Sequence, residues 1–252
     1  MILAVIPARY GATRFPGKPL ASLHGKPMVQ HVYEQVAKAK QVDEVIVATD
    51  DDRIIDAIER AGGAAMLTSA TARSGTERVA EVARARSASV IINVQGDEPL
   101  IHPEMVDQLA EFLERHAAVP MASLMTPLRD QADRANPNVV KVVVDRDGFA
   151  LYFSRAAIPF ERANAPTRQR ANSCFKHIGI YGYQRHFLLQ FPSLEPTPLE
   201  QLESLEQLRA LEHGFRIKLL ETPHDTIGVD TPEDAARVER VLASGHHETS
   251  RT

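Results

Sequence analysis

One cysteine stands in the 252 residues, Cys174, so no internal disulfide can staple the chain. A lone thiol suits a reducing compartment, and the expected location is the cytoplasm. Long apolar runs are missing as well. The N-terminal run Met1-Ile2-Leu3-Ala4-Val5-Ile6 falls far short of the ~20 residues of a membrane span, and it has neither the basic front nor the long apolar centre of a signal peptide. Excess positive charge is absent too: the net charge of -4 argues against a general binder of nucleic acid or of membrane surfaces. Two common phosphate-binding patterns are not formed. Gly11 and Gly17 lie one residue too far apart for G-x-x-x-x-G-K-[ST], and Pro19 stands where that motif needs a hydroxyl. No G-x-G-x-x-G follows the first apolar run, so a dinucleotide cofactor is not expected.

What is present is ordinary globular material, 44% hydrophobic and 25% charged, enough to bury a sizeable core. Short β-branched runs recur at residues 2–6, 44–49, 90–94 and 139–145. Between them lie stripes of helical period. Met28, Val29, Val32, Tyr33 and Val36 form one; Val106, Leu109, Ala110 and Leu113 form another after Pro103, a residue suited to a helix start. Strand alternating with helix predicts a doubly wound, mainly parallel α/β sheet, with strands buried on both faces. The rhythm changes at KVVVDRDGFALYFSR, which reads as a hairpin around Asp147-Gly148. The expectation is one domain over 1–244, an antiparallel insertion at about 125–185 and a polar tail at 245–252. Leu199, Leu202, Leu205, Leu208 and Leu211, spaced by three, predict one buried helix.

In such sheets ligands bind beyond the carboxyl ends of the strands. Directly after the first run comes a loop carrying Arg9, Arg14 and Lys18 with Gly11 and Gly17, and a helix follows. Backbone N–H groups and cations placed there suit an anion such as phosphate. The third run, VIINV, ends in Gln95-Gly96-Asp97-Glu98-Pro99, so it brings carboxylates to the same edge. Those acids either cap the helix near residue 103 or partner the anion through Mg2+, which prefers one or two carboxylates plus phosphates. Asp230 precedes Thr231-Pro232 at another helix start. Either residue could be the N-cap; with Thr231 in that role, Asp230 joins the site.

The stretch IPARYGATRFPGKPL, followed in order by SGTER (74–78), NVQGDEP (93–99), ALYFSRAAIPFER (150–162), HIGIYGY (177–183), LEQLR (205–209) and GVDTPED (228–234), resembles the sugar-nucleotide cytidylyltransferases, in the branch acting on 3-deoxy-manno-octulosonate (Kdo). The resemblance runs from about residue 1 to 242 and implies a Rossmann-like nucleotidyltransferase fold. It implies activation of Kdo with CTP to give CMP-Kdo and pyrophosphate, a step of lipopolysaccharide synthesis, by a homodimer. Ala8, Arg9, Arg14 and Lys18 would then hold CTP by its phosphate end, and Ser74, Gly75 and Arg78 would face the base or ribose. Asp97 and Asp230 would bind Mg2+, with Arg9 and Lys18 sharing the catalytic work. Gln95, Arg155, His177, Tyr181 and Glu206 would contact the sugar acid. Plainer readings stand beside these: Ser74 can cap its helix with Glu77 as partner, and His177 can be a satisfied buried histidine. Neighbouring activities on sialic or pseudaminic acid, transfer from another nucleotide, or non-catalytic nucleotide sensing are the alternatives.

Overall fold

Residues Ile2–Ala8 form strand β1, and its side chains alternate between two separate cores. Leu3 and Val5 enter one, while Ile2, Ala4 and Ile6 enter the other, as a two-residue period demands. In the computed structural model, which describes residues 1–11, 15–128, 130–162 and 174–244, this strand lies inside a mixed sheet. Arg14 and the tail therefore lie outside the described residues.

A small two-stranded ribbon, β2 (Ser22–Leu23) and β3 (Lys26–Pro27), leads from the basic loop into helix α1 (Met28–Val36). Strand β4 (Glu44–Thr49), helix α2 (Asp52–Arg60), strand β5 (Ala64–Leu67), helix α3 (Gly75–Arg84), strand β6 (Val90–Val94) and helix α4 (Pro103–Arg115) follow. Both β4 and β6 pair with β1 in parallel. Val29, Val32, Ile54, Ile58, Val106 and Leu109 cover one face of the sheet, and Val79, Val82 and Ala83 of α3 cover the other. Each of these valine, leucine and isoleucine side chains removed from water contributes about 1.5–3 kcal/mol, so packing rather than helix propensity holds these short helices. The doubly wound half is as predicted.

The second half carries the expected antiparallel strands. It contains β7 (Met121–Pro127), α5 (Gln131–Ala135), β8 (Lys141–Val144), β9 (Ala150–Ser154), β10 (Phe175–Gln184) and α6 (Arg185–Gln190). The strand β11 (Ile217–Glu221) completes a sheet of order β11-β7-β10-β6-β1-β4-β5. Strand β10 runs antiparallel between β6 and β7, so the antiparallel portion is built into the main sheet. Its sequence, FKHIGIYGYQ, is buried for most of its length, which suits a central strand. Gly182 makes the fit possible: a Cβ there would come within 2.5 Å of Leu113 on α4. The hairpin of β8 and β9 turns at Asp147-Gly148 and hangs from the start of β10.

The expected leucine helix is broken in two. Ser204, at a left-handed φ of 52°, separates α7 (Pro198–Glu203) from α8 (Gln207–Glu212). Glu200 completes a capping box with Thr197 and accepts from Arg209 Nε at 2.7 Å, which ties the two helices together. Leu205 and Leu208 reach the core, whereas Leu202 stays 82% exposed. The last described helix, α9, spans Pro232–Ser244. A third, smaller core of Leu23, Met28, Leu100, Val229 and Val238 joins β2, α1, the turn after β6 and α9. It fixes the segment carrying Asp230 against the turn carrying Asp97.

Candidate active site

The site begins where β1 and β6 end side by side. Pro7 and Ala8 close β1, and the turn after Val94 brings Gln95, Gly96 and Asp97 across it. A Cβ on Gly96 would lie 2.8 Å from the Pro7 carbonyl oxygen, so the close approach of two backbones requires glycine here. The start of α3 arrives at the same edge. Ser74 caps that helix, its hydroxyl accepting from the Glu77 N–H at 3.2 Å, while Glu77 turns its carboxylate to the Arg73 N–H at 2.7 Å. A cavity of about 370 Å³ lies over these residues, lined also by Arg9, Phe15, Lys18, Arg73, Arg78 and Asp230. Arg78 is buried and donates to Asp50 Oδ2 at 2.9 Å, so its charge is matched behind the cavity wall.

Lys18 occupies the centre. Its ammonium donates to Asp97 Oδ2 and the Val229 carbonyl at 2.7 Å each, and to Asp230 Oδ1 at 3.3 Å. Two carboxylates so placed repel unless a cation lies between them, and this lysine is that cation. Asp230 is available for the pair because Thr231 is the cap: Asp234 N–H donates to Thr231 Oγ1 at 3.2 Å, and Asp234 Oδ2 accepts from Thr231 N–H at 2.9 Å. The donor set around the ammonium is two carboxylates and a carbonyl, all oxygen, which fits a hard ion such as Mg2+.

A second cavity, of about 700 Å³, opens on the other side of the same two acids. Asp97 and Asp230 line both cavities. Strand β10 supplies Lys176, His177, Gly179 and Tyr181 to the second one, next to a register shift between Ile178 and Tyr181. A bulge of this kind re-aims side chains toward a site. The Ser123 hydroxyl lies 2.7 Å from the Ile180 carbonyl and 2.8 Å from His177 Nε2. Its single proton goes to the carbonyl, so Nε2 donates and Nδ1 is left as an acceptor. Burial pushes the His177 pKa down to about 3, so the ring is neutral. Burial, with Glu206 nearby, raises that of Tyr181, which keeps its proton and donates to Gln207 Oε1 at 3.2 Å.

Two groups in this cavity were not singled out by the sequence reading. Gln207 is buried, and its Nε2 has no partner among the described residues. Glu98 has a buried Oε2 in the same condition, and burial with Asp97 beside it raises its pKa to about 7. Orphaned buried polar atoms at a cavity wall are where a ligand would complete the hydrogen bonding. Both lie inside the stretches NVQGDEP and LEQLR, but nothing in either stretch shows that these two side chains end up buried and short of a partner.

The chain matches the cytidylyltransferase family model over residues 3–219. It is 52% identical to the 3-deoxy-manno-octulosonate cytidylyltransferase of Geobacter sulfurreducens, over 94% of this chain and 97% of that one. Identity to the enzyme of the same name from Trichlorobacter lovleyi is 50%, covering 97% and 99%. The chain belongs to the 3-deoxy-manno-octulosonate cytidylyltransferase family. A solved structure of a CMP:2-keto-3-deoxy-manno-octonic acid synthetase complexed with CTP superposes with a TM-score of 0.90, at 42% identity over 97% of this chain and 99% of the other. The 4-diphosphocytidyl-2C-methyl-D-erythritol synthase of Anaerococcus prevotii shares the fold alone, at 15% identity and a TM-score of 0.63 over 96% of each chain.

In this member of the 3-deoxy-manno-octulosonate cytidylyltransferase family, Ala8, Arg9, Lys18, Ser74, Gly75, Arg78, Gln95, Asp97 and Asp230 converge on the smaller cavity. Gln95 was expected at the sugar acid but lies here, its Nε2 donating to Asn93 Oδ1 at 3.2 Å. His177 and Tyr181 line the larger cavity. Arg155 and Glu206 line neither. The Arg155 guanidinium donates to the backbone carbonyls of Glu203, Pro137 and Ser204, and Glu206 accepts from the Thr76 hydroxyl. Instead, among the described residues, the lysine and arginine side chains at the larger cavity are Lys176, which donates to Asp225 at 2.6 Å, and the exposed Arg237.

Proposed function

We propose that this chain transfers the cytidylyl group of CTP to Kdo, giving CMP-Kdo and pyrophosphate. The observation that carries the reading is the shared wall: Asp97 and Asp230 stand between a cation-lined cavity and a second, larger one. The smaller cavity takes CTP, with Arg9, Lys18 and Arg73 toward the phosphates. The larger takes the acid sugar, with Tyr181, His177 and the Gln207 amide toward its hydroxyls. Lys176 and Arg237 suit its carboxylate, since a cation offsets the charge of an anion brought beside a triphosphate.

The chemistry follows from charge. The 2-hydroxyl of Kdo attacks the α-phosphorus in line, a new P–O bond forms as the bond to pyrophosphate breaks, and the hydroxyl proton is lost. About four negative charges on the nucleotide and one on the sugar must be held together, so preorganised cations supply the largest stabilisation. Asp97 and Asp230 would hold magnesium, which when bound neutralises phosphate charge and polarises the reacting phosphoryl oxygens. Lys18 then turns from the two acids to the phosphates. His177 and Tyr181, neutral and protonated respectively, orient the sugar without adding charge.

In the proposed homodimer, Leu151, Phe160 and Leu202 are large exposed apolar side chains left to be covered. The single free thiol of Cys174 is consistent with the cytoplasm, and among the described residues no helix is long and apolar enough to cross a membrane. The test is pyrophosphate release with CTP and Kdo in magnesium, run beside UTP, GTP and sialic acid. Release confined to CTP with Kdo is the expected result. Nucleotide binding with no release from any acid sugar would make the chain a sensor.

A further inference from the structure

At the rim of the larger cavity, apart from the carboxylate pair, stand His102, Glu104 and His224. His102 is the N-cap of α4, Glu104 lies in its first turn, and His224 comes from the segment after β11. One ligand atom from each lies within 4.8 Å of the other two. His224 Nε2 is 2.9 Å from Glu104 Oε2, and His102 Nδ1 is 4.0 Å from the same oxygen. The two imidazole rings stack with centroids 3.8 Å apart and planes 10° from parallel. Both histidines line the cavity, which gives an ion a path in.

A stacked histidine pair with a carboxylate at its edge can be a purely structural contact between α4 and the neighbouring segment. The chemistry of the set points further. Two imidazoles and one carboxylate are the donors that zinc takes when one coordination position stays open, and nitrogen donors select against Mg2+. The all-oxygen set at Asp97 and Asp230 has the opposite preference. We propose that His102, Glu104 and His224 bind one divalent ion of the zinc class, which ties the start of α4 to the segment leading to Asp230.

Coordination has a definite structural consequence. A metal lies near the plane of each imidazole that binds it, so two rings 10° from parallel cannot both bind until one turns. For His102 that turn means leaving the stack and giving up the bond its Nδ1 accepts from the Glu104 N–H at 3.3 Å.

The test is a titration of the metal-stripped full-length protein with Co2+, read by its visible absorption, then with Zn2+ in competition. The expected result is one equivalent of Co2+ with a tetrahedral or five-coordinate spectrum, displaced by Zn2+. His224→Ala and His102→Ala should each weaken binding roughly tenfold or more, whereas the Asp97→Asn/Asp230→Asn double variant should keep it. Thermal unfolding with Zn2+ should rise in the wild type and not in His224→Gln, a variant chosen to preserve side-chain bulk. No Co2+ binding by the wild type at roughly 100 µM, or binding that survives both histidine changes, would overturn the proposal. So would binding that disappears in the aspartate double variant, since the ion would then belong to the carboxylate pair.

Discussion

Replacing His177 by glutamine should remove an acid sensitivity built into the fold. The ring is buried beside Ser123, and burial lowers its pKa from 6.5 to about 3. Between those values the unfolded chain binds a proton that the folded chain refuses, so His177 lowers stability as pH falls from 6.5 toward 3. Above pH 6.5 both states hold it neutral and the penalty vanishes. At about pH 5 the penalty is 1.5 units times 1.36 kcal/mol, or ~2 kcal/mol. Glu98 works the other way, because its raised pKa lets the folded state keep a proton between 4.5 and about 7. Only the comparison of wild type with variant therefore isolates His177. Urea unfolding of wild type and His177→Gln at about pH 5 and about pH 7.5 is the assay, with the variant gaining ~2 kcal/mol relative to wild type on acidification. An unchanged difference between the two proteins across that range would refute a buried, neutral His177.

Asp230→Asn should abolish nearly all CMP-Kdo formation at every magnesium concentration while leaving thermal unfolding intact, because Thr231 rather than Asp230 caps α9; near-normal turnover would end the metal role. Combined with Asp97→Asn the loss should be far less than additive, as both serve one ion. Lys18→Ala should lose roughly 2–4 kcal/mol of transition-state stabilisation in kcat/KM, and magnesium should raise its Tm more than that of the wild type, since the two acids have lost their ammonium. Gln207→Leu should raise KM for Kdo about 10- to 100-fold with KM for CTP unchanged, the expected loss of a buried donor to a substrate hydroxyl. A matched rise in both constants would mean that Gln207 only supports the cavity wall.

Much of this protein is legible in local pattern. The runs at 44–49 and 90–94 are strands β4 and β6 to the residue, the hairpin turns at Asp147-Gly148, and α4 starts at Pro103. Hydrophobic period, turn residues and helix caps act over a few residues, so spacing alone determines them. Motifs in order likewise sufficed for the family. The partners of Lys18 were beyond such reading: they lie 79 and 212 positions away, and no periodicity records a pairing that the sheet's closure creates. The same holds for β10, whose apolar sequence says that it is buried but not that it runs between β6 and β7. Arg155 has the chemistry for a carboxylate, yet three backbone carbonyls around it claimed the guanidinium. Gln207 gained its candidacy only because the break at Ser204 starts a new helix beside Tyr181 and leaves an amide buried with one hydrogen-bonding end unmatched. Residue type is set by the sequence, but which groups end up sharing a low-dielectric wall is decided by packing between distant segments.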